Sequence, residues 1–302
     1  QDSKSAKTKS FKNHPFSAIH ISDMRKTSSR RTFIKTTFVK TVTAAACAPT
    51  VLSTAQATAA IQESPLTPLR FAIASDGHFG QAETNYAKFH EEMMGWLNEE
   101  KSGKGLDFVI FNGDLIHNEP RFLPQVKEHY DRLAAPYFVT KGNHDMTTRE
   151  HWEDTWGYGE NHDFEKGDCA FLLGTTSNAR GDYLSVNIDW LKERLSHYEE
   201  KRHIFGFFHI SQRKVTKHGI DSPDASSLLE STPNVAAVFH GHDHDVDGVI
   251  YSNERAYFYD GHMGGSWGTN YRGYRIVEVA PEGKVSTYQC NPAAFLVNKA
   301  TL

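Results

Sequence analysis

Tyr137-Phe138-Val139-Thr140-Lys141-Gly142-Asn143-His144-Asp145 is the stretch on which the reading of this chain turns. Tyr137 to Thr140 has the aromatic and β-branched content of a strand. The Gly-Asn-His-Asp that follows makes a poor core but a good mouth for a site. An Asn side-chain oxygen is a neutral, hard metal ligand, and the adjacent His can reach substrate while Asp145 holds its ring. By itself Gly-Asn before polar residues is an ordinary turn. What changes its meaning is that four other apolar strands end in the same way.

Leu69 to Ala74 ends in Ser75-Asp76-Gly77-His78, and 108–111 ends in Asn112-Gly113-Asp114. The apolar run 203–208 ends in His209, and 235–239 ends in His240-Gly241-His242-Asp243-His244. Helical spacing over 83–99 and 123–133 separates the first three strands, which predicts a right-handed α/β arrangement with parallel strands and functional groups at their carboxyl ends. The aromatic stretch 147–167 reads as a cap or loop. Residues 169–173 and 182–186 read as strands, and 189–198 as a helix. Beyond Val246 the runs 248–251, 256–259, 274–279 and 285–288 carry few helix signals and predict a second sheet of mostly antiparallel strands.

The five strand ends deliver Asp76, His78, Asp114, Asn143, His209, His242 and His244, with His144 beside them. Carboxylate, imidazole and amide without thiolate suit Mn, Fe, Zn or Co. Seven ligands are too many for one tetrahedral ion but suit two ions sharing a carboxylate, and Asp114, alone on its turn, is the natural bridge. Two divalent ions against Asp76 and Asp114 leave a charge of about +2, which attracts a phosphate ester. Metal binding also lowers the pKa of water to about 7–9, giving a hydroxide nucleophile near neutral pH.

As a set these motifs resemble the calcineurin-like metallophosphoesterases: Asp76-Gly77-His78, Gly113-Asp114, Gly142-Asn143-His144-Asp145, His209 and Gly241-His242-Asp243-His244. The resemblance implies a four-layer α/β/β/α sandwich and two-metal hydrolysis of phosphate esters by a metal-bound hydroxide. It implies one ion on Asp76, His78, Asp114 and His244, and another on Asp114, Asn143, His209 and His242. His144 would contact the phosphoryl group and protonate the leaving oxygen, oriented by Asp145. Where purple acid phosphatases carry Tyr this chain has His117, and where lipid A-type pyrophosphatases carry Arg it has His144. The Gly-Asn-His-Asp form is similar to the branch containing cyclic-nucleotide and glycerophosphodiester phosphodiesterases, so a phosphodiester is favoured. The alternatives are a phosphate-scavenging phosphomonoesterase and a metal-dependent binding protein, the latter disfavoured by the intact His144-Asp145 pair.

Outside these motifs the sequence says less about substrate. His117, His240 and His262 read as structural or exposed. The stretch 264–271, with Trp267 and Tyr271, reads equally as a pocket wall or a Gly-rich hairpin, and Arg213 and Lys214 read as solvated.

The 302 residues suffice for one large domain or two smaller ones. Residues 1–60 carry ten Lys or Arg against Asp2 and Asp23. Taking these from the totals of 33 basic and 37 acidic residues leaves 23 and 35, a formal charge of −12. So acidic a body has no global field for nucleic acid or anionic lipid, and no nucleic-acid binding is expected. Ser29-Arg30-Arg31-Thr32-Phe33-Ile34-Lys35 resembles a twin-arginine export signal. An Ala- and Thr-rich run follows it, and Ala55-Gln56-Ala57 offers a cleavage site. The expectation is a signal segment over 1–60, export through the twin-arginine machinery to the periplasm or medium, and an enzyme domain over 61–302. The run is too short and polar for a stable membrane span. Cys47 is a poor match to a lipoprotein site, and Cys169 and Cys290 are open to a disulfide or to two buried thiols.

Overall fold

The computed structural model describes residues 68–293. The segment expected to be an export signal, its expected cleavage site and Cys47 lie outside the described residues.

The chain alternates strand and helix through its first half: β1 (Leu69–Ala74), α1 (Tyr86–Lys104), β2 (Phe108–Asn112), α2 (Leu123–Tyr130), β3 (Tyr137–Thr140) and α3 (Arg149–Trp156). After β4 (His162–Lys166) and β5 (Cys169–Gly174) come α4 (Ile188–His197), β6 (His203–Phe208), α5 (Pro223–Ser231) and β7 (Val235–His240). Four strands close the chain: β8 (Val249–Ser252), β9 (Arg255–Tyr259), β10 (Tyr274–Val279) and β11 (Val285–Cys290).

These build two sheets, in the orders β11-β10-β1-β2-β3 and β4-β5-β6-β7-β9-β8. The triplets β1-β2-β3 and β5-β6-β7 run parallel, as expected of strands joined through helices. Side-chain alternation then assigns each strand to two cores. In β1, Phe71 and Ile73 face the layer shared with the second sheet, where they meet Phe171, Phe205 and Phe207. Ala72 and Ala74 face the opposite way, toward Met93, Met94, Val126 and Trp152 from α1, α2 and α3. The second sheet repeats this outward, with Leu172 and Val238 against Leu191 and Leu195 of α4 and Leu229 of α5. Helices, sheet, sheet and helices form the four-layer α/β/β/α sandwich.

Three local expectations change. Residues 182–186 make one isolated bridge, Ser177 to Tyr183, rather than a strand. The stretch 147–167 contains α3 and β4, and Trp152 and Trp156 are buried in the first outer core instead of capping the molecule. The late strands do not form one antiparallel sheet. β9 pairs parallel to β7, while the β10–β11 hairpin returns to pair antiparallel with β1. β10 is buried at five of its six positions, contributes side chains to two cores, and lies between β11 and β1 in the first sheet. Cys169 and Cys290 are free thiols, one in each sheet.

Candidate metal centre

All five motif loops leave their strands at the same end of the two sheets. Hydrogen bonds stitch them together: Asp76 N to Gly113 O, His78 N to Asp114 O, Gly241 N to His209 O, and His144 N to Asp114 Oδ1 at 2.7 Å. Backbone strain is concentrated here. Asp76, His78, Asp114 and His242 take φ of 59°, 46°, 52° and 66°, a region that costs a non-glycine residue stability and persists where surroundings enforce it. Glycine supplies the room. A Cβ on Gly142 would sit 2.2 Å from Asp114 Oδ1, and one on Gly241 1.9 Å from Ser75 Oγ and 2.5 Å from Asp76 Oδ2.

Six of the seven expected ligands fall into two groups that share Asp114, and a third cluster, His78 with His117 and His144, adjoins them. In the first, His244 Nε2 lies 2.9 Å from Asp76 Oδ1 and 3.0 Å from His78 Nε2, and His78 Nε2 lies 3.7 Å from Asp114 Oδ2. In the second, His209 Nε2 lies 3.2 Å from the same Asp114 Oδ2, with His242 beside it. One oxygen of Asp114 therefore faces both groups, while the other is held by the His144 amide. The imidazoles are aimed from behind. His209 Nδ1 donates to Asn112 O at 2.7 Å and His244 Nδ1 to Trp267 O at 3.1 Å, which turns each Nε2 lone pair inward.

The donor set fits two divalent ions. Asp114 Oδ2, Asn143 Oδ1, His209 Nε2 and His242 Nε2 are all buried without a hydrogen-bond partner. Orphaned buried acceptors are costly, and the three on Asp114, His209 and His242, whose ligand atoms cluster within 4.8 Å of one another, are resolved together by a cation. The electrostatics agree. Burial alone would raise Asp76 and Asp114, but the surrounding imidazoles, His244 and His209 foremost, hold both carboxyls well below the usual range. Burial would lower His209, yet Asp114 and Asp76 outweigh it and push the imidazole up to about 10, so a cation bound at Nε2 would take the place of a proton there.

His144 stands at the mouth, 4.8 Å from His78 by ring centroids. Its orienting partner is not the one expected. Asp145 is buried, and its carboxylate accepts from the backbone N–H of Ile116 at 3.0 Å and of Gly142 at 2.8 Å, so it braces two loops. Burial, with Asp114 nearby, pushes that carboxyl up to about 7. The partner of His144 is Asn118, whose Oδ1 accepts from Nδ1 at 2.7 Å. Asn118 escapes a motif reading because it lies outside the Gly-Asp pair, at the end of the same loop; its φ of 67° marks it in the structure.

Other residues gain or lose roles. His117 stacks on His144 at 4.8 Å and 12°, and its Nδ1 meets that of His78 at 3.0 Å, so it belongs to the site. His240 is structural: its Nδ1 donates to Phe208 O. His262 contacts Gly264 O and Thr269 O and shapes the 264–271 loop. Arg213 is paired with Glu230, and Lys214 donates to Lys217 O and Gly219 O, which leaves neither for phosphate. A cleft of about 370 Å³ opens over the centre, lined by Asp114, His144, His242 and His244 together with Tyr183, His218, Asp245, Trp267 and Gly268. Tyr183 and His218 carried no motif signal; only folding brings them here.

Comparison with known proteins places this centre in its class. The calcineurin-like phosphoesterase family profile matches residues 69–246. The chain belongs to that family and is a metal-dependent phosphoester hydrolase whose centre takes two divalent ions. Among solved structures it is similar to a dimetal phosphatase from Danio rerio, with TM-score 0.57 and 14% identity, covering 74% of this chain and 98% of that one. It is also similar to the calcineurin-like phosphoesterase YfkN from Bacillus subtilis (TM-score 0.46, 11% identity, 75% and 90% covered). A third is the NAD nucleotidase NadN from Haemophilus influenzae (TM-score 0.48, 13% identity, 74% and 49% covered). At 14% identity the Danio rerio likeness is one of fold. No curated protein sequence matches the chain.

Proposed function

We propose that this enzyme is exported and hydrolyses phosphodiesters. The observation that carries the diester reading is charge. Among the described residues no Lys or Arg lines the cleft, and Asp245 adds a carboxylate to it. A monoester dianion or a polyphosphate carries more charge than a diester and gains more from cationic side chains beyond the metal centre. A diester monoanion is served by the surplus of about +2 at the centre itself. The Gly142-Asn143-His144-Asp145 form, similar to that of the phosphodiesterase branch, supports the same reading.

Two divalent ions held by the two groups would draw charge from the phosphoryl oxygens and lower the pKa of water near phosphorus. His144 contacts the phosphoryl group and gives a proton to the departing ester oxygen. Asn118 accepts from Nδ1 and so places the other nitrogen, Nε2, toward that oxygen. Asp145 keeps the turn that presents Asn143 and His144 in place.

The test compares rates of the Mn-loaded protein on an aryl phosphate monoester and the matching diester. A faster diester rate is expected; a monoester preference would make the protein a phosphatase. Export rests on Ser29-Arg30-Arg31-Thr32-Phe33-Ile34-Lys35 and the small residues Ala55 and Ala57. Cell fractionation should recover a shorter, active protein from the periplasm or medium, and Arg30→Lys with Arg31→Lys should keep it in the cytoplasm.

A further inference from the structure

Two large aromatic side chains remain open to solvent on either flank of the metal centre. Trp267 is 44% exposed and Tyr183 43% exposed, although both line the same cleft. They do not share a wall. Trp267 lies flat against His244, with centroids 4.5 Å apart and planes 5° apart, and sits 4.9 Å from His78, so it belongs to the first ligand group. Tyr183 meets His242 edge-on at 4.7 Å and 88°, in the second group, with His218 also against His242 at 5.8 Å.

We infer that Trp267 and Tyr183 are the two specificity walls of the site, one for each ester substituent, and that the substrate is a phosphodiester with a planar or apolar group on both sides of phosphorus. This rests on the diester reading above and deepens it. The polarity of the site follows from His144. Trp267 lies 6.4 Å from His144 and 6.3 Å from His117, so the substituent beside Trp267 is the one whose oxygen His144 can protonate. Trp267 therefore faces the leaving group and Tyr183 the substituent retained on phosphate.

The construction of both walls supports a recognition role. Trp267 is held by its own backbone, whose carbonyl accepts from His244 Nδ1, so a metal ligand and a substrate wall are fixed by one contact. The 264–271 loop that carries it is anchored by His262 and by Thr269 N donating to His244 O at 2.9 Å. Tyr183 is positioned by the Ser177–Tyr183 bridge, and Ser177 Oγ donates to Gly142 O at 2.8 Å, which ties this wall to the Gly-Asn-His-Asp turn. Exposed aromatic rings rigidly mounted at a site bind planar groups at small entropic cost.

The experiment uses three esters: a bis(aryl) phosphate, an aryl methyl phosphate that keeps only the aryl leaving group, and an aryl monoester. Wild type, Trp267→Ala, Trp267→Phe and Tyr183→Ala are compared, all Mn-loaded. The loss of one aromatic contact is expected to raise KM about ten-fold. Tyr183→Ala should raise the ratio of KM for the bis(aryl) ester to that for the aryl methyl ester by about this factor. Trp267→Ala should raise KM for both diesters while leaving their ratio near the wild-type value, and Trp267→Phe should recover most of the loss.

Binding is read separately with diphenylphosphinate, which has two rings and no cleavable ester. It should quench tryptophan fluorescence in wild type and much less in Trp267→Phe, and it should bind more weakly to Tyr183→Ala. If both variants change the two diesters equally, or neither changes KM, the two-wall assignment is overturned. If wild type instead prefers the aryl monoester, the diester reading fails first, and the phosphinate titration still reports whether the rings bind.

Discussion

His144 shows how little of a side chain's placement is contained in its immediate neighbours. Asp145 follows it directly and looks like its partner, yet consecutive residues at a turn point in different directions. Asp145 turns inward to accept from Ile116 and Gly142, and the imidazole turns outward to Asn118. The two roles separate by mutation. His144→Ala should lower kcat by about 10²–10⁴, the usual worth of a positioned acid, with metal content unchanged at two ions per chain. Asn118→Ala should lower kcat less, by about ten-fold, without moving KM or thermal stability, because it frees a tautomer and a rotamer only. Asp145→Asn should instead cost about 1–3 kcal/mol of stability, since an amide nitrogen replaces one of two buried acceptor oxygens. Urea midpoints and metal analysis on the three variants distinguish these outcomes. An Asp145→Asn protein with wild-type stability and a crippled kcat would restore Asp145 as the orienting residue.

At the scale of elements, Glu230 near the end of α5 holds the loop that follows β6. Its carboxylate accepts from Arg213 at 2.5 and 2.8 Å and from Tyr257 of β9 at 3.0 Å, and also from Asn253. The loop beyond Arg213 carries His218 and is pinned again by Thr216 donating to Asp243 at 2.7 Å. Burial alone would raise the Glu230 carboxyl, but these donors, Arg213 first, bring it down to about 2. A depressed folded-state value means stability that is complete above the unfolded value of 4.5 and drains away as pH falls toward 2. Glu230→Gln should therefore lower stability by about 1–3 kcal/mol at pH 7, with the gap from wild type narrowing at pH 3. Urea unfolding at the two pH values measures it, and an equal gap at both would show that the carboxylate charge is not what matters. The same scale holds the main surprise of topology. β10 and β11 carry ordinary strand patterns, but pairing with β1 requires a return across the sandwich that no local pattern encodes.

For the whole molecule, the metal centre acts as a clasp between the two sheets. Asp76, His78, Asp114 and Asn143 follow strands of the first sheet, and His209, His242 and His244 follow strands of the second. An ion bound with ligands from both sides stabilises only the folded arrangement, by roughly 4 kcal/mol at a thousand-fold excess over Kd. Chelation should accordingly lower Tm by roughly 5–15 °C at this chain length, reversibly on adding Mn. Asp114→Ala, which removes the shared ligand, should abolish most of that shift and leave less than one ion per chain. A chelation-insensitive Tm in the wild type would contradict the clasp.

The sequence by itself determined the chemistry and its order along the chain. Five apolar strands ending in Asp, Asn or His are legible because strand periodicity and ligand type are local properties; together they pointed to a two-ion centre, and their resemblance to the calcineurin-like phosphoesterases implied the sandwich and the hydrolase class. Tertiary structure alone decided which donors meet. The Asp114 oxygen that faces both groups, Asn118 behind His144, and Trp267 and Tyr183 on opposite flanks come from loops far apart in sequence. Their convergence depends on how two sheets pack and on where β10 re-enters. Packing of that kind is set by the fit of two whole faces, Phe71 against Phe171, Phe205 and Phe207 among them, and no single stretch of residues carries it.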